Sequence, residues 1–189
     1  MEKEIFKWTC KQIVPMSIYP YKNQKPKVAG DCFIAPSADV IGDVDVGQGS
    51  SVWFHATIRA DLNKITIGKN TSVQDGCVLH TSQNNRIIIG DNVVIGHKAI
   101  IHSANVGDNT IIGMGAILLN GAEIGKNCIV AAGSVVTEGT QIPDNSIAMG
   151  VPAKIVKKTT DAHMERIKKN VAEYISLCSD YRKMENGVE

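Results

Sequence analysis

Aliphatic side chains return at every sixth position along most of this chain: Ile34, Val40, Val46, Val52 and Ile58, then Ile67, Val73 and Leu79, then Ile89, Ile95 and Ile101. After a five-residue step the series resumes at Val106 and runs through Ile112, Leu118, Ile124, Val130 and Val136 to Ile142. An α-helix repeats every 3.6 residues and a half-buried strand every two, so neither produces this pattern. Four residues after most of these positions stands a small or slender side chain, as at Ala38, Ser50, Ala56, Thr71, Cys77, Ala99, Thr110, Ala116, Ala122, Cys128 and Ser134. Large and small residues therefore alternate inward. Glycines such as Gly47, Gly68, Gly90 and Gly107, with Asn or Asp close by, supply turns where a positive φ is cheap. Each hexad predicts one short strand and one corner.

Three hexads close a triangular coil, and stacked coils share backbone hydrogen bonds around a continuous aliphatic column. Taking the large positions in threes starts coils at Ile34, Val52, Val73, Ile95, Ile112 and Val130, about six coils over residues 30–147. Extra residues at 63–66 and 81–88 predict loops leaving the prism, and loops on a rigid scaffold are where sites tend to be built. After "GVPAK" (150–154) the pattern turns helical, with Met164, Ile167, Val171, Tyr174, Cys178 and Tyr181 at three- and four-residue steps and Thr160 or Asp161 as N-cap. This predicts an amphipathic helix folded back on the prism. The whole resembles the mostly β, hexapeptide-repeat left-handed parallel β-helix. Its handedness is implied by that resemblance alone, because parallel crossovers are ordinarily right-handed. The expected organisation is an N-terminal extension over 1–18, a β-helix domain over 19–156, and a C-terminal amphipathic helix and tail over 157–189.

Composition narrows the function. A formal net charge of +1 argues against a nucleic-acid groove or an anionic membrane surface and favours small or uncharged partners. The five cysteines, Cys10, Cys32, Cys77, Cys128 and Cys178, are scattered without a CxxC pair, which points away from a disulfide framework and toward a reducing compartment. Cys77 and Cys128 fall on small inward positions and Cys178 on the apolar helix face, so core packing is their expected role. The N-terminal stretch lacks the continuous apolar core of a signal peptide, and no segment is long and apolar enough to span a bilayer. A cytoplasmic location is expected. Residues 1–15 stand apart from the repeat, and "MSIYPY" from Met16 offers an alternative start.

Three of the five histidines lie within "VLHTSQNNRIIIGDNVVIGHKAIIH" (78–102). The periodic frame assigns each a face and a height. His80 follows Leu79 and His102 follows Ile101, so the two stack outward one coil apart, roughly 4.8 Å. Arg59, after Ile58, falls in the same column one coil below. His97, two residues after Ile95, belongs to another side, above Gln74 and Asp75. One triangular prism cannot turn both faces toward a point, but a neighbour can supply the missing group. Three prisms about a threefold axis would bring His80 and His102 of one chain to His97 of the next. Three imidazoles with an open fourth position suit a catalytic zinc, and Arg59 would then meet Asp75 across the interface.

The segments "SVWFHATIRAD" (51–61), "SVQDGCVLH" (72–80), "IGHKAIIH" (95–102) and "AMGVPAKIV" (148–156) resemble the successive signatures of the gamma-class carbonic anhydrase family, over about residues 19–156. The resemblance implies a homotrimer with metal ligands His80, His102 and the neighbour's His97, holding Zn(2+), with Fe(2+) or Co(2+) as alternatives. It implies Gln74 as the residue orienting a metal-bound water, and Arg59, Asp61 and Asp75 as interface residues. The implied reaction is reversible hydration of carbon dioxide to bicarbonate by zinc-bound hydroxide. The chain departs from the family where proton-accepting glutamates stand in other members. Leu62 occupies the position after Asp61, and the loop "TSQNNR" (81–86) holds no carboxylate; Ser72 stands where an Asn can lie. Low, buffer-dependent turnover is the expected result.

His55 reads as a corner residue and His163 as solvent-exposed near the helix start. Trp53 and Phe54 point outward and are expected to pack a trimer interface. Two other functions use the same scaffold: a hexapeptide-repeat acyltransferase or thioesterase acting on acyl-CoA, which needs one catalytic His, and a metal-bound trimeric scaffold without hydratase activity.

Overall fold

The computed structural model describes residues 17–185; the questions raised about residues 1–16 lie outside them. The hexads form the rungs of a parallel three-sided solenoid followed by one helix. One side stacks Ile34, Val52, Val73, Ile95, Ile112 and Val130 and ends on Ala148. The second stacks Ile18, Val40, Ile58, Leu79, Ile101, Leu118 and Val136. The third stacks Val28, Val46, Ile67, Ile89, Val106, Ile124 and Ile142. This is the hexapeptide-repeat left-handed β-helix class. It has one level more than the hexads count. The added level comes from Ile18 and Val28, whose ten-residue separation hides it from a period of six and accommodates the Tyr21–Gln24 turn.

Sterics and hydrogen bonding account for the inward alternation. From Val40 upward the large positions are at most 4% exposed and the small ones at most 1%. The small positions are often Ser, Thr or Cys because the coil above offers a carbonyl there. Ser50 donates to Gly68 O at 2.8 Å, Thr71 to Gly90 O at 2.8 Å, Thr110 to Gly125 O at 3.1 Å, and the Cys77 thiol to Gly96 O at 3.1 Å. At one corner Asn70, Asn92, Asn109, Asn127 and Asn145 all adopt φ between +53° and +59°, a region asparagine tolerates better than most residues. Their amides bond one above another, Asn70 to Asn92 at 3.3 Å, Asn92 to Asn109 at 3.3 Å and Asn127 to Asn145 at 3.0 Å. The positive φ expected at Gly47, Gly68, Gly90 and Gly107 is corrected, since none of them adopts it; glycine is required there by close approach, a Cβ at Gly47 coming 2.7 Å from the Gly68 carbonyl carbon.

The two insertions behave differently. The expected loop at 63–66 does not leave the prism: Thr57–Ile67 is one continuous strand. Its extra residues form a bulge at 61–64, because Gly42 and Val44 pair with Ala60 and Ile65. The second insertion does leave, as the loop 81–86 between His80 and Ile87.

After the last coil, Ser146–Gly150 and Ala153–Lys158 form an antiparallel hairpin, and the helix Asp161–Glu185 runs back along the first side. Thr160 is the N-cap: its carbonyl accepts from His163 and Met164, and its own N–H donates to His163 Nδ1 at 3.1 Å. His163 is thus half-buried in the cap. Ile167 and Val171 pack on Val94, Ile111 and Ile129. Farther along, Tyr174 and Tyr181 close over Phe33, Trp53 and Phe54, with Trp53–Tyr181 centroids 5.1 Å apart. Trp53 is only 5% exposed. The expectation that these aromatics await a neighbouring prism is corrected: the chain's own helix covers them. No helix among the described residues is long and apolar enough to cross a membrane.

Candidate functional site

The ladder register places Arg59, His80 and His102 in one outward column on the second side. His80 Nδ1 and His102 Nε2 face each other at 3.2 Å. The outer nitrogen of each ring meets an acceptor: His80 Nε2 lies 3.0 Å from Asp61 Oδ1, and His102 Nδ1 lies 2.6 Å from Asn120 Oδ1. A carboxylate and an amide oxygen only accept, so the ring hydrogens sit on the outer nitrogens. Two bare lone pairs are left facing each other, an arrangement that calls for a shared cation, either a proton or a metal ion. Ligand bonds of 2.0–2.1 Å in a tetrahedral set give a nitrogen–nitrogen edge of about 3.3 Å, close to the separation seen. The pair fits a metal.

Asp61 reaches His80 because of the strand bulge. It also pairs with Arg59, whose guanidinium donates to Asp61 Oδ2. Partial burial pushes the Asp61 carboxyl up, but the bonds from Arg59 and His80 outweigh it and hold it below the ordinary carboxylate value. It stays an anion, as a residue fixing a histidine tautomer must.

His97 stands on the first side of the prism with the same chemistry. Its Nδ1 lies 2.8 Å from Asp75 Oδ2, leaving Nε2 as the lone pair, with the Tyr174 hydroxyl 3.5 Å away. Burial first, then the charge of Asp75, raises the Tyr174 phenol, so it remains a donor. The neighbouring Gln74 is 4% exposed, and its Oε1 accepts from the His97 backbone N–H at 3.1 Å. That bond leaves its Nε2 without a hydrogen bond among the described residues.

All seven residues singled out in sequence thus fall into two groups, Arg59–Asp61–His80–His102 and Gln74–Asp75–His97. The single chain pairs Arg59 with Asp61 and Asp75 with His97, and does not bring Arg59 to Asp75. Among the described residues no cluster of three or more His, Cys, Asp or Glu converges to hold a metal ion. Asn120 and Tyr174 were not singled out. A polar cleft of about 280 Å³ opens at the loop, lined by Asn84, Asn85 and Arg86, with Glu123 as its one carboxylate; neither His80 nor His102 lines it. Leu62 is half exposed next to Asp61.

Residues 103–138 match a family described as bacterial transferase hexapeptide (six repeats). A carbonic anhydrase of Geobacillus kaustophilus is 44% identical over 89% of this chain and 92% of its own length. Gamma carbonic anhydrase 2, mitochondrial, of Arabidopsis thaliana is 42% identical over 82% of this chain, which spans 58% of that protein. The chain belongs to the gamma-class carbonic anhydrase family. Its reaction class is therefore carbon dioxide hydration, which requires a metal cofactor. A solved structure from Bacillus cereus, provisionally described as an acetyltransferase, superposes with a TM-score of 0.87 at 41% identity, covering 88% of this chain and 97% of that one. Family membership and the name of the structural neighbour thus point to different chemistry on one scaffold.

Proposed function

We propose that this chain hydrates carbon dioxide reversibly at metal centres between the subunits of a homotrimer, with His80 and His102 from one subunit and His97 from the next. Zinc is the first candidate, Fe(2+) or Co(2+) the alternatives. The observation that carries the reading is that all three imidazoles have one nitrogen tied to an acceptor, which leaves the lone pair on the other: His80 and His102 turn theirs toward each other and His97 toward the Tyr174 hydroxyl. A bound divalent metal acidifies water, so that a nucleophile exists near neutral pH. Asp61, Asn120 and Asp75 hold the ligands in the required tautomers. Gln74, its carbonyl fixed by the His97 backbone, keeps its amide N–H groups to donate to a substrate oxygen. In the assembly Arg59 exchanges part of its hold on Asp61 for Asp75 of the neighbour. No carboxylate lies at position 62 or in the loop 81–86, so the proton leaves through water and buffer, and turnover rises with buffer concentration.

A second reading, acyl transfer, is favoured by the Bacillus cereus neighbour. It has no use for three oriented imidazoles. A metal-bound scaffold without activity is the remaining outcome.

Complementation tests the proposal. His97→Ala trimers and His80→Ala/His102→Ala trimers should each be inert in stopped-flow hydration and poor in metal. Dissociated, mixed in equal amounts and reassembled, they should regain about a quarter of wild-type activity and metal, because one interface in four then unites an intact pair with an intact His97. No recovery from well-assembled mixed trimers would overturn the shared centre. Metal-loaded wild type inert toward carbon dioxide would overturn the reaction.

A further inference from the structure

The N-terminal half of the helix packs on the prism through Ile167 and Val171, and its Arg166 and Asn170 face a space left beside that contact. That space is a cavity of about 400 Å³ along the first side, within the size range of small-molecule sites. Its floor is the outward aliphatic file Val94, Ile111, Ile129 and Ile147, beside the side-chain-poor positions Gly113 and Ala131. These four rungs are successive levels of one ladder, so the floor extends about 14 Å at the interstrand spacing. Met114 and Met149, 61% and 44% exposed, stand at its edges; flexible thioether side chains suit walls that adjust to a ligand.

The mouth is different in kind. Lys157 from the closing hairpin and Arg166 from the helix both line it, and no Asp or Glu does. Neither cation makes an ion pair with a described residue, whereas Lys168 on the same helix is paired with Glu165. An aliphatic trough closed at one end by two cations without counter-ions is complementary to a molecule with an apolar tail and a single anionic head.

We infer that this cavity binds a medium-chain aliphatic monocarboxylate, its tail along Val94–Ile147 and its carboxylate between Lys157 and Arg166. No proposed metal ligand lines the cavity, so binding there is measured separately from hydration. Gln74 does reach its far end, so occupancy would be felt next to His97.

Calorimetric titration of the full-length protein with hexanoate, octanoate and decanoate tests it, in metal-free and metal-loaded samples alike. Affinity should rise by roughly fourfold per added methylene while the chain still fits. The double variant Lys157→Ala/Arg166→Ala, both exposed positions, should bind octanoate at least tenfold more weakly with an unchanged melting temperature. Octanol should bind the wild type as weakly as octanoate binds that variant. Equal binding of octanol and octanoate, or no binding of any chain length, overturns the inference whatever the outcome of the hydration assay.

Discussion

At the residue scale the proposed metal centre depends on which nitrogen of each imidazole carries its hydrogen. Asp61→Asn puts this to the test. An amide can offer His80 either a donor or an acceptor, so the preference for one tautomer is lost, and metal affinity measured by chelator competition should fall about 10- to 100-fold. The same variant has a pH signature. A folded carboxyl held below its unfolded value of about 3.9 stabilises the protein above that value and ceases to as pH falls through the folded pKa. Asp61→Asn should therefore lower stability at pH 7 and match wild type near the acid limit, by denaturant titration at each pH. Cys77 gives a simpler expectation. Burial pushes its thiol up to about 12, and only thiolates react readily. It should resist alkylation at pH 8 in the native protein and react on unfolding, as peptide mass spectrometry would show. Much of this scale was legible in sequence, because the repeat assigned His80, His102 and His97 their faces before any coordinate. Asn120 and Tyr174 were not. Asn120 sits at a corner one residue past the register of His102, and Tyr174 reaches His97 from 77 residues away on a helix whose seat no periodicity specifies.

At the element scale the period of six was readable because every third of a coil meets the same two demands: fill the interior, and turn. Where one demand changed, the reading drifted. The first level is invisible to a period of six because ten residues separate Ile18 from Val28, and the interruption around residue 63 does not distinguish a bulge from a loop. The aromatics were assigned to a missing neighbour because sequence gives a helix its apolar face and not its address. The asparagine corner carries its own prediction. Asn92→Ala removes an amide bonded to Asn70 and Asn109 and puts a Cβ residue without a polar side chain at φ +56°. A loss of about 1–2 kcal/mol is expected. Asn92→Gly keeps the backbone comfortable and should recover part of it, measured by urea unfolding of both variants.

At the scale of the whole molecule, the proposed centre, with its ligands on two sides of the prism, would tie metal content to subunit association. Removing metal with a chelator should weaken subunit association, so that sedimentation at low micromolar concentration shows a larger monomer fraction than in the loaded protein, reversed by adding zinc. Subunit concentration then sets metal affinity as much as ligand chemistry does. The closing hairpin bears on a different kind of association. A stack of identical parallel rungs is a template: each terminal coil offers the next chain the same unmet hydrogen bonds that its own coils satisfied, and nothing in the repeat says where to stop. Ala153–Lys158 runs the opposite way against the last rung of the first side, so a further coil of the same kind finds no matching edge there and cannot pair on all three sides at once. The hairpin acts as a full stop, keeping a sequence that could polymerise end to end as a countable molecule.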